Sequence, residues 1–434
     1  MAQEMKHSGI SWIGNMPSHW TITRFKYCFT TGTGLNITKA DLVDEGVAVI
    51  SYGQIHAKYN SRTHLSDNLL RYIPESLTIG RGRSKLSRND FVFADTSEDL
   101  EGCGNAAFID TDKLVYAGYH TVIAHPYVDG DFRFLAYLFS TQQWRTQIQQ
   151  RVSGVKVNSI TRSLLNDSLL IVPPIPEQTA IADFLDTKCA EIDGLLEDLD
   201  AEVKTLAEYK KSIIAETVIH GLNPNASLVP TNLGWIDAIP KHWGLEKFRY
   251  KLKPRRISGQ IDKQVLSVYR EFGVIPKDSR DDNHNRTSDD TSNYKYVRPN
   301  DFVINKMKAW QGSMGVSQYE GIVSPAYFVY EFSDDSYNPR YFHYFMRNAN
   351  NIPEYRRLSG GIREGQWDLS PYNLGNMPIV VPPKTEQNEI VNYLDEKCKL
   401  IEESITEKLL QIEKLKEYKA SLIYEYVTGK KQVI

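Results

Sequence analysis

Two stretches of the chain carry apolar residues at helical spacing. In the first, Leu185, Ile192, Leu199, Leu206 and Ile213 fall seven residues apart, with Cys189, Leu196 and Val203 four residues after the first three, the a and d positions of a heptad seam. In the second, Leu394, Ile401, Leu415 and Leu422 keep the spacing with Cys398, Ile405 and Ile412 between them, and Lys408 interrupts one a position. Both stretches begin just after a Pro-Pro pair, and the first ends at Gly221 with Pro224 behind it, a stop signal. The spacing predicts two long helices of about 40 residues, hence about 60 Å each at 1.5 Å per residue. Two like seams in one chain should pack on each other, and a two-fold relation between them makes the pair antiparallel, with each globular part near an opposite end. Cys189 and Cys398, each near the start of its helix, should then lie on the order of 30 Å apart, out of disulfide reach.

Outside these helices the period shortens. The runs 90–94 (DFVFA), 168–172 (SLLIV), 301–306 (DFVINK) and 321–332 (GIVSPAYFVYEF) are rich in β-branched and aromatic residues and read as strands. The runs 132–144 (FRFLAYLFSTQQW) and 339–348 (PRYFHYFMRN) occupy matching places and read as short helices. Because strands do not alternate regularly with helices, each globular part is α+β, mixed rather than doubly wound.

The chain also repeats itself. Trp12, Pro17, His19, Trp20, Phe25 and Tyr27 recur as Trp235, Pro240, His242, Trp243, Phe248 and Tyr250, an offset of 223 residues. Pro173, Glu177, Gln178, Leu185, Asp186, Lys188 and Cys189 recur as Pro382, Glu386, Gln387, Leu394, Asp395, Lys397 and Cys398 at an offset of 209, which LAEYKKSIIAETV and LKEYKASLIYEYV share. The frame is duplicated and its contents diverge. It divides the chain into an N-terminal leading segment (1–20), a first globular domain (21–171), a central spacer helix (172–222), a linker with the repeated leading segment (223–243), a second globular domain (244–380) and a C-terminal spacer helix (381–434).

At 434 residues the chain is too long for one core, and its 41% hydrophobic and 24% charged residues are ordinary globular composition. No apolar run is long enough to span a bilayer and the start lacks the features of a signal peptide, so a cytoplasmic protein is expected. The four cysteines are widely separated and support neither a disulfide framework nor a zinc site. A net charge of −3 argues at first against nucleic acid, but the acid is concentrated: acidic residues exceed basic ones by 7 over 177–222, whereas basic residues are in excess by 1 over 21–176 and by 4 over 244–383.

Motifs for chemistry are missing. There is no G-x-x-x-x-G-K-[ST] loop and no H-E-x-x-H, and TGTGLN (31–36) lacks the following helix of a dinucleotide fingerprint, so it reads as a turn. Val172 and Val381 stand before Pro-Pro, where an amino-methyltransferase would, as a family feature, place Asn or Asp. Asp186 and Lys188, with Asp395 and Lys397, superficially resemble the metal-binding end of a nuclease, but no Pro-Asp lies upstream and a solvated helix face explains them better.

What remains is binding chemistry. The run 247–256 (KFRYKLKPRR) holds six positive charges and no acid, and Lys247 and Arg249, interleaved with Phe248 and Tyr250, suit phosphate contact. An exposed edge strand guarded by Lys and Arg explains the run nearly as well. Arg81, Arg83 and Lys85 form a shorter basic loop. The segments 153–159, with Lys156 and Asn158, and 359–366, with Arg363 and Gln366, occupy matching places before the final strand of each domain. They combine flexible glycine with side chains that read guanine and adenine edges, although an ordinary polar loop fits equally well.

These marks together resemble the specificity (S) subunit of type I restriction–modification systems. The resemblance rests on WIG-x-x-P-x-H-W at 12–20 with its echo at 235–243, on PPIPEQ from Pro173 with its echo from Pro382, and on NKMKAWQGSMGV (305–316) followed by GIVSPAYFV (321–329), and it covers essentially the whole chain. The first domain departs from the second, with ADTSEDLEGCGNA (94–106) where the second has NKMKAWQGSMGV, whose Lys306 and Lys308 join the DNA-binding candidates. The resemblance implies two mixed α/β target-recognition domains separated by two long antiparallel coiled-coil helices in a pseudo-two-fold repeat. It implies no catalytic centre and no cofactor in this chain, a split double-stranded DNA target read one half per domain, and helices that dock two methyltransferase (M) subunits. Those partners would carry S-adenosylmethionine and methylate adenine, while motor-nuclease (R) subunits would use ATP and Mg. Three alternatives stand beside it: a self-contained nuclease or methyltransferase, a component of a methylation-only or type IIB-like system, and a coiled-coil adaptor that touches no DNA.

Overall fold

The computed structural model describes residues 4–154, 156–280, 287–288, 290–361 and 367–433. Both predicted helices form, as Ile175–His220 and Lys384–Val427, each starting within two residues of its Pro-Pro pair. The chain divides into two compact units, one made of Met1–Asp198 with Gln411–Ile434 and the other of Leu199–Leu410. The division crosses both long helices, so each unit combines a globular part with a portion of each helix.

Within each unit the helix portions run antiparallel. In unit 1 the Phe184 and Tyr426 rings pack at 4.4 Å and Lys419 Nζ donates to both oxygens of Asp193 at 2.6 and 2.7 Å. In unit 2 Glu202 accepts from Lys408 and Glu402 accepts from Lys210. Residue numbers therefore fall along one helix as they rise along the other. Lys408, the break in the apolar seam, faces the carboxylate of Glu202 on the opposite helix.

Burial along the seam follows what lies beside it. Leu185, Cys189 and Ile192 in unit 1 and Leu394, Cys398 and Ile401 in unit 2 are buried, because the globular part covers the two helices there. Leu196, Leu199, Val203 and Leu206 are only half-buried, since two helices alone cannot enclose a whole seam from all sides, although Ile412 is buried in the same stretch. All four cysteines are buried and free.

The two globular parts share a central sheet. In unit 1 the order is Phe29–Thr33, Thr121–Pro126, Phe91–Ala94, Ala106–Phe108, all antiparallel. In unit 2 Leu252–Pro254, Tyr327–Phe332, Phe302–Asn305 and Met314–Val316 repeat it strand for strand. One face of each sheet is covered by a matching aromatic-rich helix, Phe132–Ser140 or Pro339–Met346. Beyond this sheet the units differ. Unit 1 adds a three-stranded sheet in which Val115–Ala117 runs parallel to Val47–Ile50, whereas unit 2 has there the hairpin Leu266–Tyr269 with Gly273–Pro276 and the antiparallel pair Lys295–Val297 with Gly321–Val323, joined by a parallel bridge between Val265 and Ile322.

Two expectations from the pattern need correction. The run 132–144 is two helices, Phe132–Ser140 and Gln142–Gln149, because Thr141 leaves the helical region (φ −73°, ψ 139°) and its side chain accepts from Trp144 N as an N-cap. The run 321–332 is two strands, Gly321–Val323 and Tyr327–Phe332, parted by a turn at Pro325 in which Tyr327 N donates to Ser324 O.

The leading segments close each unit. In unit 1 the hairpin of Met5–His7 and Asn15–Pro17 lies against the end of the second long helix, with Tyr424 donating its hydroxyl to Trp12 O and with Gly429 so close that a Cβ there would meet Pro17 at 2.3 Å. In unit 2 the end of the first long helix plays that part: Val218 and Ile219 enter the core and Gly221 (φ +77°) abuts Trp243.

Candidate nucleic-acid interface

The duplicated residues turn out to be clamps. Glu177, in the first turn of its helix, lies 2.6 Å from His19 Nε2 and accepts from Trp20 Nε1 at 2.9 Å; Glu386 holds His242 and Trp243 the same way at 2.7 and 3.0 Å. Gln178 accepts from Asp131 N and donates to Pro173 O, and Gln387 repeats this with Asn338 N and Pro382 O. About two helix turns on, Asp186 accepts from Arg133 (2.8 Å) and the Tyr137 hydroxyl (2.7 Å), while Asp395 accepts from Arg340 and Tyr344. The expected solvated face at Asp186 and Asp395 is therefore replaced by a polar clasp between the long helix and the short aromatic one. Burial raises the phenol pKa of Tyr137 and Tyr344 and pushes the Cys189 thiol up to about 11, which keeps all three protonated at neutral pH.

The candidate DNA residues fall into several places. In unit 1 the strand Asn158–Ser159 pairs with Thr96–Ser97, so the loop carrying Lys156 and Asn158 meets the turn that follows the central strand Phe91–Ala94. In unit 2 the corresponding turn is the 3-10 helix Lys306–Gln311. Lys306 Nζ reaches Asp368 at 3.0 Å and the Trp310 ring lies 5.7 Å from Trp367, so the turn meets the loop before the final strand here as well. Lys308 and Met307 are exposed on it. Arg363 and Gln366 lie outside the described residues.

The longer basic run is elsewhere in unit 2. Register sets Asn305 opposite Tyr327 and Leu252 opposite Phe332, so Lys306 and the start of the run 247–256 lie towards opposite ends of the strand Tyr327–Phe332, while Arg255 N, which donates to Val329 O, carries the end of the run back towards Lys306. Lys247 and Arg249 are exposed, with Arg249 stacked over the Tyr250 ring at 5.3 Å. Leu252–Pro254 is the edge strand of its sheet, and Arg255 is already paired with Asp301 (2.9 Å) and Glu331 (2.6 Å). In unit 1 Arg81, Arg83 and Lys85 are exposed around the short turn Gly82–Ser84.

The fold also gathers residues that no sequence pattern groups. Tyr52, His56, Tyr119 and His120 bring their rings together beside Asp95 and Thr96. The expected turn at TGTGLN is in part strand, since residues 31–33 complete Phe29–Thr33, and past its end the glycine has a steric rather than a phosphate-cradling reason: a Cβ at Gly34 would lie 1.9 Å from Gly118 O. Among the described residues no group of three or more His, Cys, Asp or Glu is arranged to hold a metal, and no helix is long and apolar enough to cross a membrane.

Each unit thus joins the same clamp on antiparallel helices to a surface of its own. No family model matches the chain. The chain is 20% identical over 327 residues to the type I restriction enzyme EcoKI specificity subunit of Escherichia coli strain K12, covering 71% of this chain and 63% of that relative, less than two thirds of its length. It is 21% identical over 400 residues to the StySPI specificity subunit of Salmonella potsdam, covering 88% and 83%. Among solved structures, one concerned with assembly and conformational transition of the type I R-M system superposes with a TM-score of 0.67 at 15% identity, over 96% of this chain and 99% of that one. The HsdS subunit from Thermoanaerobacter tengcongensis superposes at 0.50, also 15% identical, over 96% and 98%. The chain is a relative of type I restriction enzyme specificity subunits and shares their fold.

Proposed function

We propose that the chain is the sequence-specific DNA-recognition subunit of a type I restriction–modification complex. Each unit reads one half of a split double-stranded target, and the long helices dock methyltransferase subunits. Catalysis belongs to the partners: S-adenosylmethionine-dependent methylation of adenine to the M subunits, and ATP- and Mg-dependent translocation and cutting to R subunits. The observation that carries this reading is the contrast between clamp and surface. Glu177 and Glu386 hold the same partners in the same way, whereas the turns after the two central strands carry unlike side chains, as two readers of different sequences on equivalent mounts would.

Replacing residues 21–171 with the matching domain of another specificity subunit should change one half of the methylated sequence and leave the other intact. A change in both halves, or in neither, would refute the reading. The tagged chain isolated from its own cells should bring down methylation and motor subunits, and the purified chain alone should hydrolyse neither DNA nor ATP.

A further inference from the structure

A strip across unit 1 joins segments far apart in sequence, and hydrogen bonds fix their order. From the basic turn, Ser84 Oγ donates to Thr33 O at 3.0 Å, and next to it Gly34 N donates to Thr121 O at 3.3 Å. Beyond that contact Tyr52 N donates to Tyr119 O at 3.3 Å, Asp95 N to His120 O at 3.1 Å and Ile160 N to Asp95 O at 2.7 Å. The strip thus runs from Arg81 and Arg83, through Tyr119, His120 and Tyr52, to Thr96–Ser97 and its partner Asn158–Ser159, with Lys156 at the far end. Segments approach this closely only because side chains are missing where they touch: a Cβ at Gly118 would lie 2.1 Å from Ser51 Oγ.

The middle of the strip is aromatic. The Tyr52 ring lies edge-on to Tyr119 at 5.6 Å and to His120 at 5.5 Å. His120 is exposed and held at φ +54°, a conformation that non-glycine residues adopt rarely and that clusters at functional sites. His56 is anchored inward, with Nε2 2.8 Å from Thr96 O and Nδ1 3.2 Å from Asn105. His120 instead stands at the surface with only its Nδ1 engaged, 3.3 Å from Asp95.

Charge sorts the contacts this surface can make. Asp95 adjoins the rings, Glu98, Asp99 and Glu101 follow it in the same turn, and carboxylates repel a phosphate. Carboxylates and ring nitrogens can, however, pair with base edges; an acid accepts from the amino group of cytosine, and Asn pairs with adenine. The positive side chains stand at the two ends. Duplex DNA needs this division, with phosphate contacts to position it and base contacts between them to read it.

We infer that Tyr52, His120 and Asn158 form the base-reading centre of unit 1, and that duplex DNA lies along the strip with its phosphates held by Arg81 and Arg83 at one end and Lys156 at the other. The inference rests on the DNA-recognition function proposed above and names the residues through which this unit performs it.

The test uses the tagged full chain from its own cells, with its natural subunits still bound, mixed with a randomised duplex DNA library whose captured members are sequenced. The wild type should enrich a split motif. His120→Asn keeps a residue that tolerates the left-handed backbone, and Asn158→Ala alters a short strand at the surface. Each should cut preference at one or more positions of a single half by roughly tenfold or more, leaving the other half unchanged. Tyr52→Leu should do the same, with the first two variants decisive if it does not fold. Arg81→Ala combined with Arg83→Ala should weaken binding to every duplex alike and flatten its salt dependence, without altering the motif. Folded His120→Asn and Asn158→Ala chains that enrich the wild-type motif unchanged would overturn this inference alone. A wild-type chain that enriches no motif would overturn the functional reading and this inference together.

Discussion

The two units answer one question with opposite charge. After the equivalent central strands, unit 1 has a turn bearing Asp95, Glu98, Asp99 and Glu101, and unit 2 has one bearing Lys306 and Lys308 with no acid from Asn305 to Gly312. Each turn is nevertheless received by the loop before the final strand, and each unit is clamped to its helix by the same Glu, Gln and Asp. Packing and clamps set where the turn goes, and its chemistry is free to differ. A surface that varies while its mount does not can change what it recognises without risk to the fold.

The strongest way to break this equivalence is to remove its anchors. Trp20 and Trp243 are 2% and 6% exposed, and each donates to its glutamate, so Trp20→Ala and Trp243→Ala should each destabilise the chain by about 3–5 kcal/mol. Chemical denaturation would measure both, and a negligible loss at either would show that the clamps are not equivalent. A smaller effect is expected from Glu177→Gln and Glu386→Gln, which keep the shape but weaken charge-assisted hydrogen bonds by about 1–3 kcal/mol each. Neither should shift the DNA motif in the library assay.

One difference lies within the clasp helix. Aligned on Arg133/Arg340 and Tyr137/Tyr344, unit 1 has Ala136 where unit 2 has His343. Burial, then the guanidiniums of Arg347 and Arg340, lower the His343 pKa to about 3, and its Nδ1 accepts from Val316 N at 3.1 Å. A neutral histidine with a depressed pKa contributes fully above the unfolded value near 6.5, and that stability is lost as pH falls from there towards 3. Unit 2 should therefore lose roughly 1–2 kcal/mol from this residue between pH 7 and pH 5, with no counterpart at Ala136. Thermal unfolding at the two pH values, with His343→Asn as control, tests it; an identical pH dependence in wild type and variant would refute the assignment. The smallest effect is expected at the seam, where Lys408→Leu removes a half-exposed ion pair with Glu202 and restores an apolar position, a net change within about 1 kcal/mol of zero.

The long helices and the duplication were legible because they are periodic and local. Seven-residue spacing needs no knowledge of what lies opposite, and matched motifs need none of the fold. Lys408 marks the limit: its break in the seam is visible in the sequence, but its pairing with Glu202 depends on antiparallel register. The split at Thr141 was hidden inside an unbroken apolar run whose capping threonine looks like any other polar residue. The reading strip was least legible of all. Lys156, Asn158 and the turn at Arg81 carry suggestive side chains, but Tyr52 and His120 become neighbours only through the strand order of two sheets.

Unit 2 is one continuous run of chain, Leu199–Leu410, and unit 1 is two. Leu422, Ile423 and Val427 belong to the same core as Trp20, Phe134 and Leu185, and Gly429 rests against Pro17. On the ribosome, synthesis runs from the N-terminus, so the first segment of unit 1 emerges early but lacks part of its own interior until Leu422, Ile423 and Val427 have been made. Nascent chains arrested with residues up to 410 exposed should therefore resist protease across unit 2 while the leading segment around Trp12 and Trp20 is still cleaved; early protection of that segment would refute this order. Trp12 and Trp20 wait for Leu422, Ile423 and Val427, and a product cut short before them leaves the core of unit 1 open to the quality-control machinery of the cell.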